Sequence, residues 1–97
     1  QAELYAARSM VLDCARRRDD GEDVSVEAAC CKMFASEMCS RIADRAVQIH
    51  GGAGYMSEYA IERLFRDVRL FRIFEGTTQI QQLVIARGMV RRAQASG

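Results

Sequence analysis

Apolar side chains recur along this chain at steps of three and four, the period of a helix, and nowhere alternate as they would in a strand. Leu4, Ala7, Val11, Cys14 and Ala15 predict a helix over residues 1–18. Arg16, Arg17 and Arg18 fall in its last turn, where cations favour the negative end of the helix dipole. "DDGED" then breaks the pattern, with Gly21 as the expected C′ residue. Ser25 is the expected N-cap of a second helix, with Glu27 in its first turn. Cys31, Phe34, Met38, Ile42 and Ile49 carry its stripe to about His50, flanked by the small residues Ala28, Ala29, Ala35, Ala43 and Ala46. Such a helix is about 37 Å long, the scale of a bundle helix. "GGAGYMSEY" ends it and reads as a loop. Residues 60–70 form a short third helix, with Ile61, Leu64, Phe65 and Val68 on one face and Glu62, Arg63, Arg66, Asp67 and Arg69 on the other. The last helix starts at Thr77 or Thr78, where Thr78-x-x-Gln81 matches a capping box. Ile80, Leu83, Val84 and Met89 continue it to about Ala93, and "AQASG" is expected to fray. The fold class is all-α: three long helices and one short one in an up-and-down bundle.

Composition narrows this further. A chain of 97 residues is one small domain or a part of a larger one. It contains no Pro, which suits long uninterrupted helices. No apolar run approaches the ~18–20 residues of a spanning helix, so no transmembrane segment is expected. Fourteen Lys and Arg against thirteen Asp and Glu leave a net charge of +1. That lacks the basic excess of a nucleic-acid binder. The four cysteines, Cys14, Cys30, Cys31 and Cys39, all fall inside helical segments. They read as free thiols in a reducing compartment, not as a disulfide framework. Their spacing, with His50, matches no zinc pattern, so no metal is expected. The chain opens on Gln1, which points to further residues upstream.

Four places could carry chemistry. Glu75 lies between Phe74 and Gly76, just before a helix N-terminus. A carboxylate enclosed by apolar groups has a raised pKa and makes a good general base near neutral pH. On spacing alone an exposed turn acid is the more frequent arrangement. Gln48-x-x-Gly51-Gly52 could bring bare backbone up to a phosphate, or could simply stop the helix. Thr77, Thr78 and Gln79 sit where free N–H groups bind polar ligand atoms, a role compatible with capping. Arg63, Arg66, Arg69 and Arg72 suggest a basic patch, but Glu62 and Asp67 interleave with them, so a solvated or ion-paired face fits better.

From Gln48 onward, "QIHGGAGYMSEYAIERLFRDVRLFRIFEGTTQIQQLVIAR" resembles the C-terminal signature of the flavin-dependent acyl-CoA dehydrogenases. The resemblance combines the Q-x-x-G-G end, the E-R-L-x-R-D helix, the R-I-x-E-G-T turn and I-A-R at fixed distances. Residues 1–47 resemble, less distinctively, the preceding helices of the same domain. The resemblance implies that Glu75 is the base that removes the α-proton of an acyl-CoA thioester. A hydride then leaves the β-carbon for FAD, as in fatty acid beta-oxidation. It implies that the Glu75 N–H helps bind the thioester carbonyl and that Gly76 lies against the substrate. Thr77 and Gln79 would contact FAD. Gln48, Gly51 and Gly52 would approach FAD from a neighbouring subunit, and Arg87 would contact substrate. Electron-transfer flavoprotein is the implied partner, and a homotetramer or dimer the implied assembly. Residues 1–97 would then be the C-terminal bundle alone, without the N-terminal helical and middle β domains, and inactive by themselves.

Two departures stand out. Ala60 occupies a position where the family often has Pro, so that turn is expected to be less rigid. Phe74 replaces a common Tyr. Other readings are an acyl-CoA oxidase, a flavin monooxygenase, or a non-catalytic helical interaction module. The Arg bias favours a bacterial cytoplasm as the location, with the mitochondrial matrix as the alternative.

Overall fold

A computed structural model describes residues 1–96. Four α-helices account for most of them: α1 (Ala2–Asp19), α2 (Ser25–His50), α3 (Ile61–Arg69) and α4 (Thr78–Ser96). The three long and one short helices match the sequence pattern closely. Short 3-10 turns, Gly51–Tyr55 and Ser57–Tyr59, replace the expected loop between α2 and α3, and a third, Leu70–Arg72, extends α3. Among the described residues no helix is long and apolar enough to cross a membrane.

The helix ends show which local signals prevailed. Gly21, at φ 84°, closes α1. Its N–H donates to the Arg18 carbonyl and the Glu22 N–H to the Arg17 carbonyl, both at 3.0 Å, a Schellman pair. Ser25 is not the N-cap of α2 but its first helical residue. Its N–H donates to the Asp23 carboxylate at 3.1 Å, so an acid two residues upstream does the capping. At α4 the capping residue is Thr77, whose hydroxyl accepts the Ile80 N–H at 3.2 Å. The expected Thr78–Gln81 box does not form, because both side chains are held elsewhere. Helix α4 also runs past Ala93 to Ser96, whose hydroxyl donates to the Arg92 carbonyl at 3.0 Å. Gly97, the last residue of the tail expected to fray, lies outside the described residues.

Helix α2 is the axis on which the other three pack. Helix α1 runs antiparallel to it, with ion pairs Arg17–Glu27 at 4.0 Å and Arg41–Glu3 at 3.4 Å at the two ends of the contact. Helix α4 runs antiparallel along the N-terminal half of α2, where Arg92 donates to both Glu27 carboxylate oxygens, at 2.8 and 3.0 Å. Helix α3 covers the C-terminal half. The buried residues among those described are small or slender: Ala7, Val26, Ala29, Ser36, Met38, Ser40, Ala43, Gly54, Thr78 and Gly88. Leu4 and Val11 of the predicted α1 stripe are half exposed, and Ile49 at the end of the α2 stripe is 85% exposed. The radius of gyration is 16.6 Å, against about 12.5 Å for a globular chain of this length. The helices therefore lie side by side as a slab of 56 × 24 × 18 Å and leave large apolar side chains on its faces.

Ala60, just before α3, sits at φ 64°. A prolyl ring fixes φ near −65°, so the backbone found here would not accept a proline at this position.

Helix α4 approaches α2 closely at Gly88, where an added Cβ would collide with the Val26 side chain. Gly88→Ala should therefore destabilise the chain. Overpacking costs about 1–3 kcal/mol, partly offset by about 1 kcal/mol of better helix propensity. Val26→Ala in the same chain should recover part of the loss. Urea unfolding of the two single variants and the double variant reads this directly. A Gly88→Ala chain more stable than the parent would show that the helices do not meet there.

Candidate functional site

The segment between α3 and α4 carries most of the residues singled out from sequence. Glu75 and Gly76 are consecutive left-handed residues, with φ of 54° and 93°. Glycine adopts this conformation freely, but a glutamate held there is strained, and such strain collects at functional sites. Two groups hold the backbone. The Lys32 ammonium on α2 donates to the Gly76 carbonyl at 2.6 Å. The Gln81 amide donates to the Glu75 carbonyl at 3.2 Å. A Cβ on Gly76 would meet that same amide nitrogen at 2.6 Å, but the end of the Gln81 side chain can move aside, so it is φ that calls for glycine.

Glu37, in the middle of α2, closes the segment from behind. One carboxylate oxygen accepts the Thr78 hydroxyl at 2.7 Å and the other accepts the Arg72 guanidinium at 3.1 Å. Arg72 precedes the turn and Thr78 follows it, so one side chain ties both of its ends. The Thr78 bond is the chief cause that holds the Glu37 carboxyl below the usual carboxylate range. Partial burial opposes this, while Arg72, and Arg41 at longer range, add to the lowering. Phe71 and Phe74 stack with ring centres 5.5 Å apart, and the Lys32 ammonium lies 6.0 Å from the Phe74 ring centre. Together with Ala35, Ser36 and Cys39 they line a shallow, almost wholly apolar groove of about 230 Å³.

The Glu75 carboxylate is exposed, and among the described residues it has no hydrogen-bond or ion-pair partner. The apolar enclosure expected from its neighbours is not provided by this chain. Ile73 and Phe74 are themselves 51% and 44% exposed. Gly76, Thr77 and Gln79 lie next to Glu75 at the start of α4. Gln48, Gly51 and Gly52 do not join them. They are exposed at the far end of α2, about 20 Å beyond Glu37 at 1.5 Å per residue. Arg87 is exposed on α4, about 14 Å past Thr78, beside a surface hollow lined by Ala86, Val90, Arg91 and Gln94. The arginine series divides in the same way. Arg66 pairs with Glu62 at 2.8 Å on the solvent face of α3, whereas Arg72 turns inward to Glu37.

The cysteines are free and partly buried. Burial, with the Cys14 and Cys30 thiols beside it, pushes Cys31 up to about 11 and so keeps it protonated. His50 ends α2, and its Nδ1 donates to the Ala46 carbonyl at 2.8 Å. Among the described residues no three His, Cys, Asp or Glu side chains converge on a common point.

Lys32, Glu37 and Gln81 did not emerge as site residues from sequence. Lys32 is the only lysine in the chain, which was the one available signal. Glu37 looked like any acid on a long helix.

The site is thus a strained glutamate turn at the head of one helix, braced from behind by the longest helix of an antiparallel bundle. A bundle built this way occurs at the C-terminus of a class of redox enzymes. The family described as "Acyl-CoA dehydrogenase, C-terminal domain" matches residues 1–90, and the chain belongs to it. It is 51% identical over 89 residues to the probable acyl-CoA dehydrogenase YngJ of Bacillus subtilis, covering 92% of this chain and 23% of that protein. It is 45% identical over 89 residues to the caffeyl-CoA reductase-Etf complex subunit CarC of Acetobacterium woodii, covering 92% of this chain and 24% of that protein. The structure of butyryl-CoA dehydrogenase from Megasphaera elsdenii superposes with a TM-score of 0.87 at 36% identity, covering 92% of this chain and 23% of that one. The chain therefore spans about a quarter of the length of the relatives it matches.

The brace makes the bundle sensitive to acid. Glu37 has a lower pKa folded than unfolded, so its contribution is complete at neutral pH and fades as pH falls through the lowered value. Glu37→Gln should cost about 1 kcal/mol at neutral pH and should flatten the loss of stability as pH falls below the ordinary carboxylate value and through the lowered one. Parallel acid unfolding curves for parent and variant would show that Glu37 does not carry that charge.

Proposed function

We propose that this chain supplies the catalytic base and part of the flavin contacts of an acyl-CoA dehydrogenase-type enzyme. The observation that carries the reading is Glu75 at φ 54° with an unpaired, exposed carboxylate at the head of α4. A fold that stores strain to present a free carboxylate is arranged for proton transfer. The α-proton of an acyl-CoA thioester is weakly acidic, so the base must be well placed and shielded from water. The exposure of Glu75 here means that the remaining three-quarters of such an enzyme would supply the shield. The Glu75 N–H would donate to the thioester carbonyl oxygen as charge develops on it. Gly76, with no side chain, would let the substrate approach the turn.

The residues fit a flavin dinucleotide. Gly51 and Gly52 are exposed, with no atom within 4 Å of where a Cβ would stand. Their backbone is therefore open to a diphosphate. Thr77 and the exposed Gln79 present polar groups at a helix N-terminus, suited to the polar edge of a ring system. Because Gln48, Gly51 and Gly52 lie about 20 Å along α2 from Glu37, which holds Thr78, they would serve the site of a neighbouring subunit in a tetramer or dimer. Bound FAD would supply the acceptor for the hydride that leaves the substrate β-carbon. The base and the carbonyl donor come from this chain. Arg87 would contact a more distant part of the substrate, and electron-transfer flavoprotein would take up the electrons. That partner is supported by the likeness to a protein named as an Etf-complex subunit.

The same relative is named as a subunit of a reductase complex. The residues suit that direction equally, since the group that removes the α-proton in one direction returns it in the other. The metabolic direction would then depend on the redox partner and not on the Glu75 turn.

In the full-length enzyme that carries this segment, Glu75→Gln should slow flavin reduction by an acyl-CoA at least about 100-fold, the scale of a lost general base. The flavin content should be unchanged. Stopped-flow bleaching of the flavin absorbance measures this. Reduction at near the parent rate would dismiss Glu75 as the base. Oxygen consumption without any need for an electron-transfer flavoprotein would instead favour an oxidase.

A further inference from the structure

We infer that Lys32 is a positioning residue that sets the conformation of the Glu75 turn from the opposite side, with Glu37 fixing the ends of the same segment. The inference rests on Glu75 as the base.

Glu75 and Gly76 both need the left-handed region, and only Gly76 is built for it. Residue 75 left to itself would relax to negative φ and rotate its carboxylate away. What opposes this is a set of bonds to the turn's own carbonyls. The shortest is Lys32 Nζ to the Gly76 oxygen, at 2.6 Å and partly buried. A charged donor on a neutral carbonyl in partly dry surroundings makes a strong bond. Gln81 adds a bond to the Glu75 carbonyl, but it belongs to α4 and moves with the turn it holds. Lys32 belongs to α2, so it alone of the two fixes the turn against an independent element.

Glu37 sits five residues further along α2. By holding Arg72 and Thr78 it keeps the two ends of the segment a fixed distance apart. The ammonium also lies 6.0 Å from the Phe74 ring centre, and Lys32 and Phe74 share the wall of the same apolar groove next to Glu75. The Lys32 ammonium bonds the far side of the peptide backbone and does not touch the Glu75 carboxylate. Its effect on proton transfer would be geometric: a displacement of about 1 Å at a base costs on the order of 100-fold in rate.

The test uses the full-length enzyme. Lys32→Met removes the donor and keeps the stem. It should lower the rate of flavin reduction about 10- to 100-fold while KM for the acyl-CoA changes less than about threefold. Lys32→Arg, which restores a cationic donor, should regain most of the rate. A merely structural lysine would lower stability and soluble yield without this split between kcat and KM. If Lys32→Met does not fold, Thr78→Val carries the question. It removes the hydroxyl that Glu37 holds, keeps the volume, and should give the same kcat-only loss. An unchanged kcat in the folded Lys32 or Thr78 variant, with Glu75→Gln inactive, overturns the positioning role and leaves the base in place. A fully active Glu75→Gln overturns both.

Discussion

Glu37 accepts hydrogen bonds from Arg72 and Thr78, the two residues that bracket the glutamate turn, and in doing so closes a loop that the backbone alone would leave open. Everything local to the site follows from that closure. With the ends tied, residues 73–77 form a short connection within which Glu75 and Gly76 take positive φ. With Thr78 committed to Glu37, the capping of α4 passes to Thr77. With capping settled there, Gln81 is free to reach back to the Glu75 carbonyl. The departures from the expected helix start are thus consequences of one carboxylate on a neighbouring helix.

The same helix organises the rest of the chain. At its N-terminal end Glu27 joins α1 and α4 through Arg17 and Arg92. The Arg92 bond is the chief cause that holds the Glu27 carboxyl below its ordinary range. Near that end Gly88 lets α4 press against Val26. Small residues and charged pins do the work that large buried side chains do in a closed bundle. The chain's own helices do not enclose a deep core, which is why Leu4, Val11, Ile49 and Tyr55 remain on its faces. A family that uses this bundle as about a quarter of a larger enzyme has no need for it to be self-sufficient.

Helix existence and type were legible in the sequence because long segments with a strong 3.6-residue period leave little alternative. Gly21 and Gly51 marked helix ends because few other residues tolerate their φ. The Glu75 turn was legible through the spacing of the R-I-x-E-G-T motif, whose residues are adjacent in the chain. Lys32 and Glu37 lie 44 and 41 residues from the groups they hold. A contact at that distance leaves no local pattern, so no periodicity or capping rule could have found it.

The sequence by itself determined four helices, their lengths, the place of the turn and the family to which the chain belongs. These depend on neighbours in the chain, whose interactions are fixed by spacing. Tertiary structure alone decided which threonine caps α4, that Glu75 stands exposed at positive φ, and which side chains of α2 reach the turn. Burial, strain and separation are properties of packed elements. They came into being only when α2 took its place behind the turn.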